Sequence, residues 1–278
     1  MYRLTQNKPI IILLTLTFLL TFFIGCSEDI SGDGNGEAPL LPPDDSMTLD
    51  LSLFGGGKLE APVLPSIPGS RLNFTAAATT ALVINTIVVA RLSVPVAVFT
   101  AAKSAIPVKQ DDDSWLWSYS RTIGVETFTA NLTGKREGDQ VVWSMKVSNT
   151  SSLRPLDNFE WYTGVTSREN GSGSWQFFNR DTPEQANPTY AIEWNVERGV
   201  KRERTFTNQE AGSPYFGNVV RYAVEGGMAS ISFTEADKGS TTIIEWSLNT
   251  SAGSITSPGY KKGEKACWGP DKLDIACE

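Results

Sequence analysis

The chain has 278 residues, a formal net charge of −7 at pH 7 and no histidine. The lack of histidine excludes Ser-His-Asp and Cys-His catalysis, histidine-liganded zinc sites and imidazole proton transfer. Proteins that bind nucleic acid concentrate Lys and Arg on one surface, so the acidic balance without a basic cluster argues against a nucleic-acid partner.

The first 26 residues have the pattern of a bacterial export signal. Arg3 and Lys8 precede an apolar run over residues 10–24, which only threonines interrupt. The run is shorter than the roughly 20 apolar residues that a membrane span needs. The pattern therefore predicts a signal peptide rather than a membrane-spanning helix.

The last four residues of this segment, Phe23-Ile24-Gly25-Cys26, resemble the lipobox of the bacterial lipoprotein family, with Phe23 where that family most often has leucine. The resemblance implies that Cys26 is lipidated on its sulfur, that the preceding peptide is removed and that the new amino terminus is acylated. Because two or more acyl chains anchor a protein stably, the membrane would be a partner through this lipid anchor. A secreted protein cleaved elsewhere and an uncleaved anchor are the alternatives.

The residues after the cysteine indicate the destination of the lipoprotein. Ser27 follows Cys26, whereas an aspartate at this place is the usual inner-membrane retention signal in enteric-type bacteria. Ser27-Glu28-Asp29 also resembles the acidic signal that sends many Bacteroidota-type lipoproteins to the cell surface. We therefore expect a lipid-anchored outer-membrane protein that faces either the periplasm or the cell surface.

Composition divides the chain into three parts. Residues 1–26 are the signal peptide with its lipidation site, and residues 27–72 are rich in Gly, Pro and Asp without sustained periodicity, which predicts a flexible tether. Residues 73–278 are long enough for a single domain with its own core. Cys267 and Cys277 are expected to form a disulfide in an oxidising compartment and to staple the C-terminal tail of this domain.

Residues 74–106 predict a long, apolar helix. They contain only two charges, and their apolar side chains recur every three to four residues beside a narrow stripe of hydroxyl groups. Asn73 is placed to cap the start, and Pro95 should kink the helix or begin a second one. A partial strand and a membrane-inserted hairpin are the alternatives.

The pattern changes to period two after residue 107 and keeps it to about residue 250, as is typical of antiparallel strands packed on one face. Trp143, Trp194 and Trp246 each lie at the centre of an apolar-x-Trp-x-apolar segment, 51 and 52 residues apart, which indicates three copies of one hairpin-rich unit. Trp161 and Tyr162 are adjacent and should lie on opposite faces of their strand. Aromatic side chains on both faces would exceed what a one-sided core needs.

The predicted fold is α+β and mostly β, an antiparallel meander of roughly ten strands in a curved sheet or half-barrel with the apolar N-terminal helix on its concave face. This arrangement resembles, in architecture only, lipid-binding half-barrel or lipocalin-like periplasmic lipoproteins. It implies a non-enzymatic protein without a cofactor that binds an apolar ligand, such as a lipid or an acyl chain, between helix and sheet. The candidates for lining that ligand site are Trp143, Trp194, Trp246, Ile84, Val88 and Phe99.

Two other functions stay open. The first is a surface-exposed structural or adhesive module that binds a protein or glycan through its outer face; the sequence does not identify a protein partner. The second is a glycosidase that uses Glu193 and Glu245, although both glutamates alternate with core positions and are expected on a solvated face. The acidic run at 111–113 predicts a solvated turn rather than a calcium site, and we expect no bound metal.

Overall fold

The structure is a computed structural model that describes residues 36–55, 69–197 and 199–277. The predicted signal peptide and the predicted lipidation site, Cys26, lie outside the described residues. The folded unit that the described residues form begins at Glu37.

One α-helix and fourteen β-strands make up this unit. The helix α1 spans Leu72–Ala101, and short 3-10 turns lie at Asp44–Met47, Ser52–Phe54, Ala102–Ser104, Pro183–Gln185 and Lys261–Gly263. The strands are β1 (Val108–Lys109), β2 (Trp115–Ile123), β3 (Glu126–Glu137), β4 (Gln140–Asn149), β5 (Phe159–Ser167), β6 (Ser172–Phe178), β7 (Pro188–Glu197), β8 (Lys201–Asn208), β9 (Val219–Glu225), β10 (Met228–Glu235), β11 (Ser240–Ser247), β12 (Gly253–Thr256), β13 (Ala266–Trp268) and β14 (Asp274–Ile275).

All fourteen strands belong to one antiparallel sheet in which each strand pairs with its neighbours in sequence, from β1 at one edge to β14 at the other. The predicted mostly β fold with an antiparallel meander and one helix is confirmed. The prediction of roughly ten strands in a curved half-barrel is wrong, because the described sheet has fourteen strands and is open. The predicted strand count is too low because strands β1, β13 and β14 have only two or three residues each, too few to show a period-two pattern. Alternation within a strand also does not show whether the two outermost strands of a sheet pair with each other.

The helix α1 buries one side and exposes the other. Phe74, Ile84 and Phe99 lie on its buried side in the core, while Val83 and Val89 are exposed on the opposite side. The predicted long helix is confirmed, with Arg71 rather than Asn73 before its first turn. The prediction that it is the N-terminal element is wrong, because residues 37–55 precede it in the folded unit. Pro95 lies inside the helix instead of ending it.

Large rings and glycines alternate across one row of the sheet. Trp115, Gly134, Trp143, Gly164 and Trp175 are successive cross-strand partners from β2 to β6. A Cβ atom at Gly164 would lie 2.1 Å from the Cε3 atom of Trp175, and one at Gly134 would lie 2.6 Å from the Cζ3 atom of Trp143. Each glycine therefore provides the space that the neighbouring indole ring occupies.

A β-bulge explains the adjacent aromatics of β5. The pairing of β4 with β5 shifts register between Met145 and Lys146, so the two strands are out of step by one residue. Both Trp161 and Tyr162 are consequently buried. The prediction that they lie on opposite faces is wrong, since a bulge resets the alternation and a simple period-two count cannot detect it.

Residues 37–55 pack on the domain, although they fall inside the predicted tether. Met47, Leu51 and Phe54 are buried in the core, and the ring of Phe54 lies 5.1 Å from that of Trp246. The Nε1 atom of Trp175 donates a hydrogen bond of 3.1 Å to the Oγ atom of Ser46. The boundary predicted at residue 73 is therefore too late, because an extended segment with single-turn 3-10 helices has no periodicity to recognise.

The predicted disulfide is present between Cys267 and Cys277, whose Cα atoms are 5.3 Å apart. It links β13 to the residues that follow β14. The closed loop includes Asp274, which contacts the beginning of α1. The tail is thus held to the domain both covalently and through the helix.

Candidate ligand cleft

A cleft of about 210 Å³ lies between the second half of α1 and the ends of β5, β6 and β7. We call it the arginine cleft. Its apolar wall consists of Ala90, Leu92, Val94, Pro95, Trp161, Phe177 and Phe178, and its polar lining of Arg91, Arg154, Asn179, Arg180, Asp181, Thr189 and Tyr190. The volume is below the roughly 300–1,000 Å³ of most sites for drug-sized ligands, so the cleft suits a small group.

Three arginines come together at the cleft from three parts of the chain. Arg91 lies on α1, Arg154 on the β4–β5 loop and Arg180 on the β6–β7 loop. Each contacts one carboxylate: Arg91 lies 2.8 Å from Glu210, Arg154 lies 3.0 Å from Asp181, and Arg180 lies 3.4 Å from Glu126. Because a guanidinium group has five N–H donors, each keeps capacity for a further acceptor.

Arg180 is the most enclosed of the three. Its guanidinium carbon lies 6.0 Å from the ring centres of both Phe128 and Trp161, which is within range of a cation–π interaction. Its Nε atom is buried and has no hydrogen-bond partner within the described parts of the chain. Burying an N–H donor without an acceptor costs free energy, so a bound anion that reached this donor would remove that cost.

Tyr190 supplies a neutral hydroxyl at the same site. The Nδ2 atom of Asn208 donates a hydrogen bond of 3.0 Å to its oxygen. Burial raises the pKa of Tyr190 above its usual value of 10, the Arg91 charge lowers it and the Glu210 charge raises it. The hydroxyl therefore stays protonated at neutral pH and can donate a hydrogen bond.

Local irregularities of the strands bring these groups together. The pairing of β6 with β7 shifts register between Phe177 and Phe178, so that the adjacent Thr189 and Tyr190 are both buried. The bulge in β5 likewise directs Trp161 to the core face. The cleft thus lies beside both bulges, since Trp161 and Thr189 line it.

This arrangement favours an anion that also presents an apolar or ring surface. The lining carries three arginines and one aspartate, and guanidinium groups bind carboxylates and phosphates with charge-assisted hydrogen bonds. Among the described residues, no group of three His, Cys, Asp or Glu side chains is placed to hold a metal ion. The arginines and the aromatic wall of the cleft are suited to recognising the charge and shape of a ligand.

The six predicted ligand-lining residues lie elsewhere. Trp143, Trp194, Trp246, Ile84, Val88 and Phe99 are all buried in the main core, and none of them lines the arginine cleft. The ring of Trp194 stacks on that of Trp175 at 5.6 Å. The alternation that singled out these residues is the signal of a packed core, whereas the arginines come from loops and a helix without any shared sequence pattern.

The two glutamates considered for glycoside hydrolysis are not neighbours. Glu193 lies on β7 and Glu245 on β11, and both are exposed. Four strand spacings place them roughly 19 Å apart, which exceeds the 5–10 Å that paired glycosidase carboxylates require. In the acidic run, Asp112 accepts hydrogen bonds from the backbone and hydroxyl groups of Ser114, which lower the pKa of that carboxyl group, as in a turn.

No protein-family model, curated protein or solved structure is significantly similar to this chain. Among the described residues, one helical segment, Leu72–Ser104, is long and apolar enough by length and composition to cross a membrane. Its buried side packs on the sheet of the domain.

Proposed function

We propose that this protein is a non-enzymatic, lipid-anchored lipoprotein of the bacterial outer membrane that binds a small anionic group in the arginine cleft. The observation that carries the proposal is the meeting of Arg91, Arg154 and Arg180 beside an aromatic wall. The buried Nε atom of Arg180 has no acceptor among the residues that the structure describes. The bound group would be a carboxylate, phosphate or sulfate.

Two features support a location in the cell envelope. The lipobox-like segment ending at Cys26 predicts export and lipidation. The Cys267–Cys277 disulfide is the kind of bond that persists in oxidising compartments and is rare in the cytosol.

The packing of α1 modifies the expected ligand. Ile84, Val88 and Phe99 are at most 4% exposed, so the contact between helix and sheet at these residues is filled by side chains. The arginine cleft accommodates a headgroup or a sugar acid rather than a whole acyl chain. A lipid ligand would therefore be held by its anionic headgroup.

The test uses the chain from residue 27 onward, which lacks the predicted signal peptide and Cys26. Trp161 lines the cleft, so its fluorescence should change when a ligand binds there. Inorganic phosphate, glucuronate and a short-chain phosphatidylglycerol below its micelle concentration are titrated separately. We expect saturable quenching by at least one of them, and the comparison distinguishes a free anion, a sugar acid and a lipid headgroup.

Variants make this test specific to the cleft. Arg180→Gln should weaken binding about 10- to 100-fold, since hydrogen bonds to charged groups contribute about 1.5–3 kcal/mol. Arg121→Gln is the matched control, because Arg121 is exposed on β2 and does not line the cleft. Absence of saturable binding by all three compounds, or equal binding by both variants, would contradict the proposal.

A second candidate function is a surface module that binds a protein or glycan through the outer face of the sheet. Cross-strand hydroxyl pairs on that face favour it, such as Thr122 with Thr127 at 3.0 Å and Thr234 with Thr241 at 3.0 Å. Protease added to intact cells is the test. Removal of the domain would support a surface module, and full protection would exclude it.

A further inference from the structure

One end of the sheet gathers the turns that follow the odd-numbered strands. In an antiparallel meander every second connection lies at the same end. The turns at 138–139, 168–171, 199–200, 226–227 and 248–252 therefore share one end, which we call the tether end. Backbone hydrogen bonds join neighbouring turns. The amide of Arg168 donates to the carbonyl of Asp139 at 3.1 Å, and the amide of Leu248 donates to the carbonyl of Gly227 at 2.9 Å.

The described chain begins at this end. The carbonyl of Glu37 accepts a hydrogen bond of 2.6 Å from the Nη1 atom of Arg136, the penultimate residue of β3. The side-chain amide of Asn170, in the β5–β6 turn, donates to the carbonyls of Leu40 and Leu41 at 3.1 and 3.0 Å. The first residues of the domain are thus fixed to the turns of the tether end.

The length of chain before Glu37 limits how far the anchor can lie from this end. Cys26 precedes Glu37 by eleven residues, which reach about 40 Å when fully extended and average about 18 Å as a coil. A ten-residue strand such as β4 is about 33 Å long. A lipid on Cys26 would therefore lie closer to the tether end than to the opposite end.

Apolar side chains are exposed on the tether end. Leu40 is 70% exposed, Val200 is 52% exposed and Leu248 is 47% exposed. Val200 and Leu248 line one shallow apolar groove, and Met228 lines the next. A contiguous group of exposed apolar side chains is typical of a surface that contacts a membrane or a protein, so these side chains suit an apolar neighbour.

We propose that the tether end lies on the lipid surface, with Leu40, Val200, Met228 and Leu248 in contact with the boundary between headgroups and acyl chains. This orientation rests on the lipid anchor of the proposed function. Exposed apolar residues also occur at the opposite end, at Val125 and Leu153, so exposure alone does not select the end. The place where the chain enters the domain selects it.

The orientation determines where the arginine cleft opens. Arg154 and Arg180 lie on loops that follow the even-numbered strands β4 and β6. These loops are at the end opposite the tether end. The cleft therefore faces away from the membrane that holds the protein and is open to ligands in the surrounding aqueous compartment.

The experiment uses the full lipidated protein in phosphatidylethanolamine–phosphatidylglycerol vesicles whose acyl chains are brominated near the headgroup. A fluorophore is attached to a single introduced thiol in Leu248→Cys or Leu153→Cys. The disulfide occupies Cys267 and Cys277, and the lipid occupies Cys26, so the introduced thiol is the labelled one. Val200→Cys and Val125→Cys form an independent pair in case one variant does not fold.

We expect bromine to reduce the fluorescence at positions 248 and 200 at least about twofold and to leave positions 153 and 125 nearly unchanged, since interfacial side chains enter about 5–10 Å into the boundary. Equal quenching at both ends, or stronger quenching at 153 and 125, would overturn the orientation while leaving the anchor intact. Cys26→Ser should release the protein from vesicles. Mass spectrometry that finds no lipid on Cys26 would overturn both the anchor and the orientation.

Discussion

The carboxylate of Asp274 accepts a hydrogen bond of 2.9 Å from the backbone N–H of Asn73, although 201 residues separate them. The hydroxyl of Ser70 donates to the other carboxylate oxygen at 2.5 Å, and the amide of Asp274 donates to the carbonyl of Ser70 at 2.8 Å. The first amides of a helix lack partners within the helix, and its N-terminus carries partial positive charge. The C-terminal tail therefore caps the first turn of α1.

Asp274→Ala should lower the free energy of unfolding by about 1–2 kcal/mol, because it removes both the acceptor and the negative charge at the start of α1. Thermal melting followed by circular dichroism measures the loss, which corresponds to about 2–6 °C in a domain of this size. Asp237→Ala, in the exposed β10–β11 turn, is the control and should leave the melting temperature unchanged. Equal melting of the two variants would show that the cap contributes nothing.

The disulfide and the cap should be coupled, since Asp274 lies in the loop that Cys267 and Cys277 close. Replacing both cysteines, by Cys267→Ser and Cys277→Ser, should lower the free energy of unfolding by about 2.5–3 kcal/mol, because the unfolded chain regains the entropy of the open loop. Adding Asp274→Ala should then cost less than it does in the bridged protein, because a loosened loop no longer holds the carboxylate in place. Urea unfolding of the four forms gives the coupling free energy, and strictly additive losses would contradict the coupling.

Gly164 is expected to tolerate no side chain. It pairs with both Trp143 and Trp175, and a Cβ atom there would lie 2.1 Å from the Trp175 ring. Gly164→Ala should therefore destabilise the domain by about 1–3 kcal/mol or more through overpacking. Gly259→Ala is the matched control, because a Cβ atom at Gly259 meets nothing within 4 Å. In urea unfolding we expect Gly164→Ala to lose this free energy and Gly259→Ala to unfold at nearly the same urea concentration as the unchanged protein.

The sequence predicts regular elements well and the site poorly. The apolar periodicity of residues 74–106 correctly predicts α1, and the alternation around Trp143 and Trp194 correctly predicts buried strand positions. The cleft escapes such reasoning because Arg91, Arg154 and Arg180 belong to three separate elements, and only tertiary structure makes them neighbours. Bulges are missed for a related reason, since one extra residue changes the face of every residue after it.

Alkaline pH should unfold the domain through its buried tyrosines. Burial raises the pKa of Tyr162 well above 10, and burial likewise raises that of Tyr119, whose hydroxyl donates to the carbonyl of Val98 at 2.8 Å. A raised pKa in the folded state means that stability is constant below the unfolded value of about 10 and falls as the pH rises above it. Urea midpoints measured from pH 8 to pH 11.5 should show this decline, and Tyr119→Phe should reduce its slope. A flat profile would contradict the assignment.

One buried cation contributes to holding residues 37–55 on the domain. Arg204 is 3% exposed, pairs with Asp45 and lies with its guanidinium carbon 5.8 Å from the ring centre of Tyr222. Removing the carboxylate would leave this charge buried and unpaired, which costs about 3–5 kcal/mol for a fully enclosed pair and less here, since Asp45 is about half exposed.

Asp45→Asn should therefore lower the free energy of unfolding by about 1–3 kcal/mol and increase the rate at which protease cleaves within residues 37–55. Asp44→Asn is a close control: Asp44 is about as accessible as Asp45, but its partner Lys103 is about half exposed whereas Arg204 is buried. Pairs between accessible side chains contribute about 0–1 kcal/mol. If Asp45→Asn and Asp44→Asn unfold at the same urea concentration, Arg204 does not hold the segment. Faster cleavage in Asp45→Asn alone would show that this ion pair helps to hold the segment on the sheet.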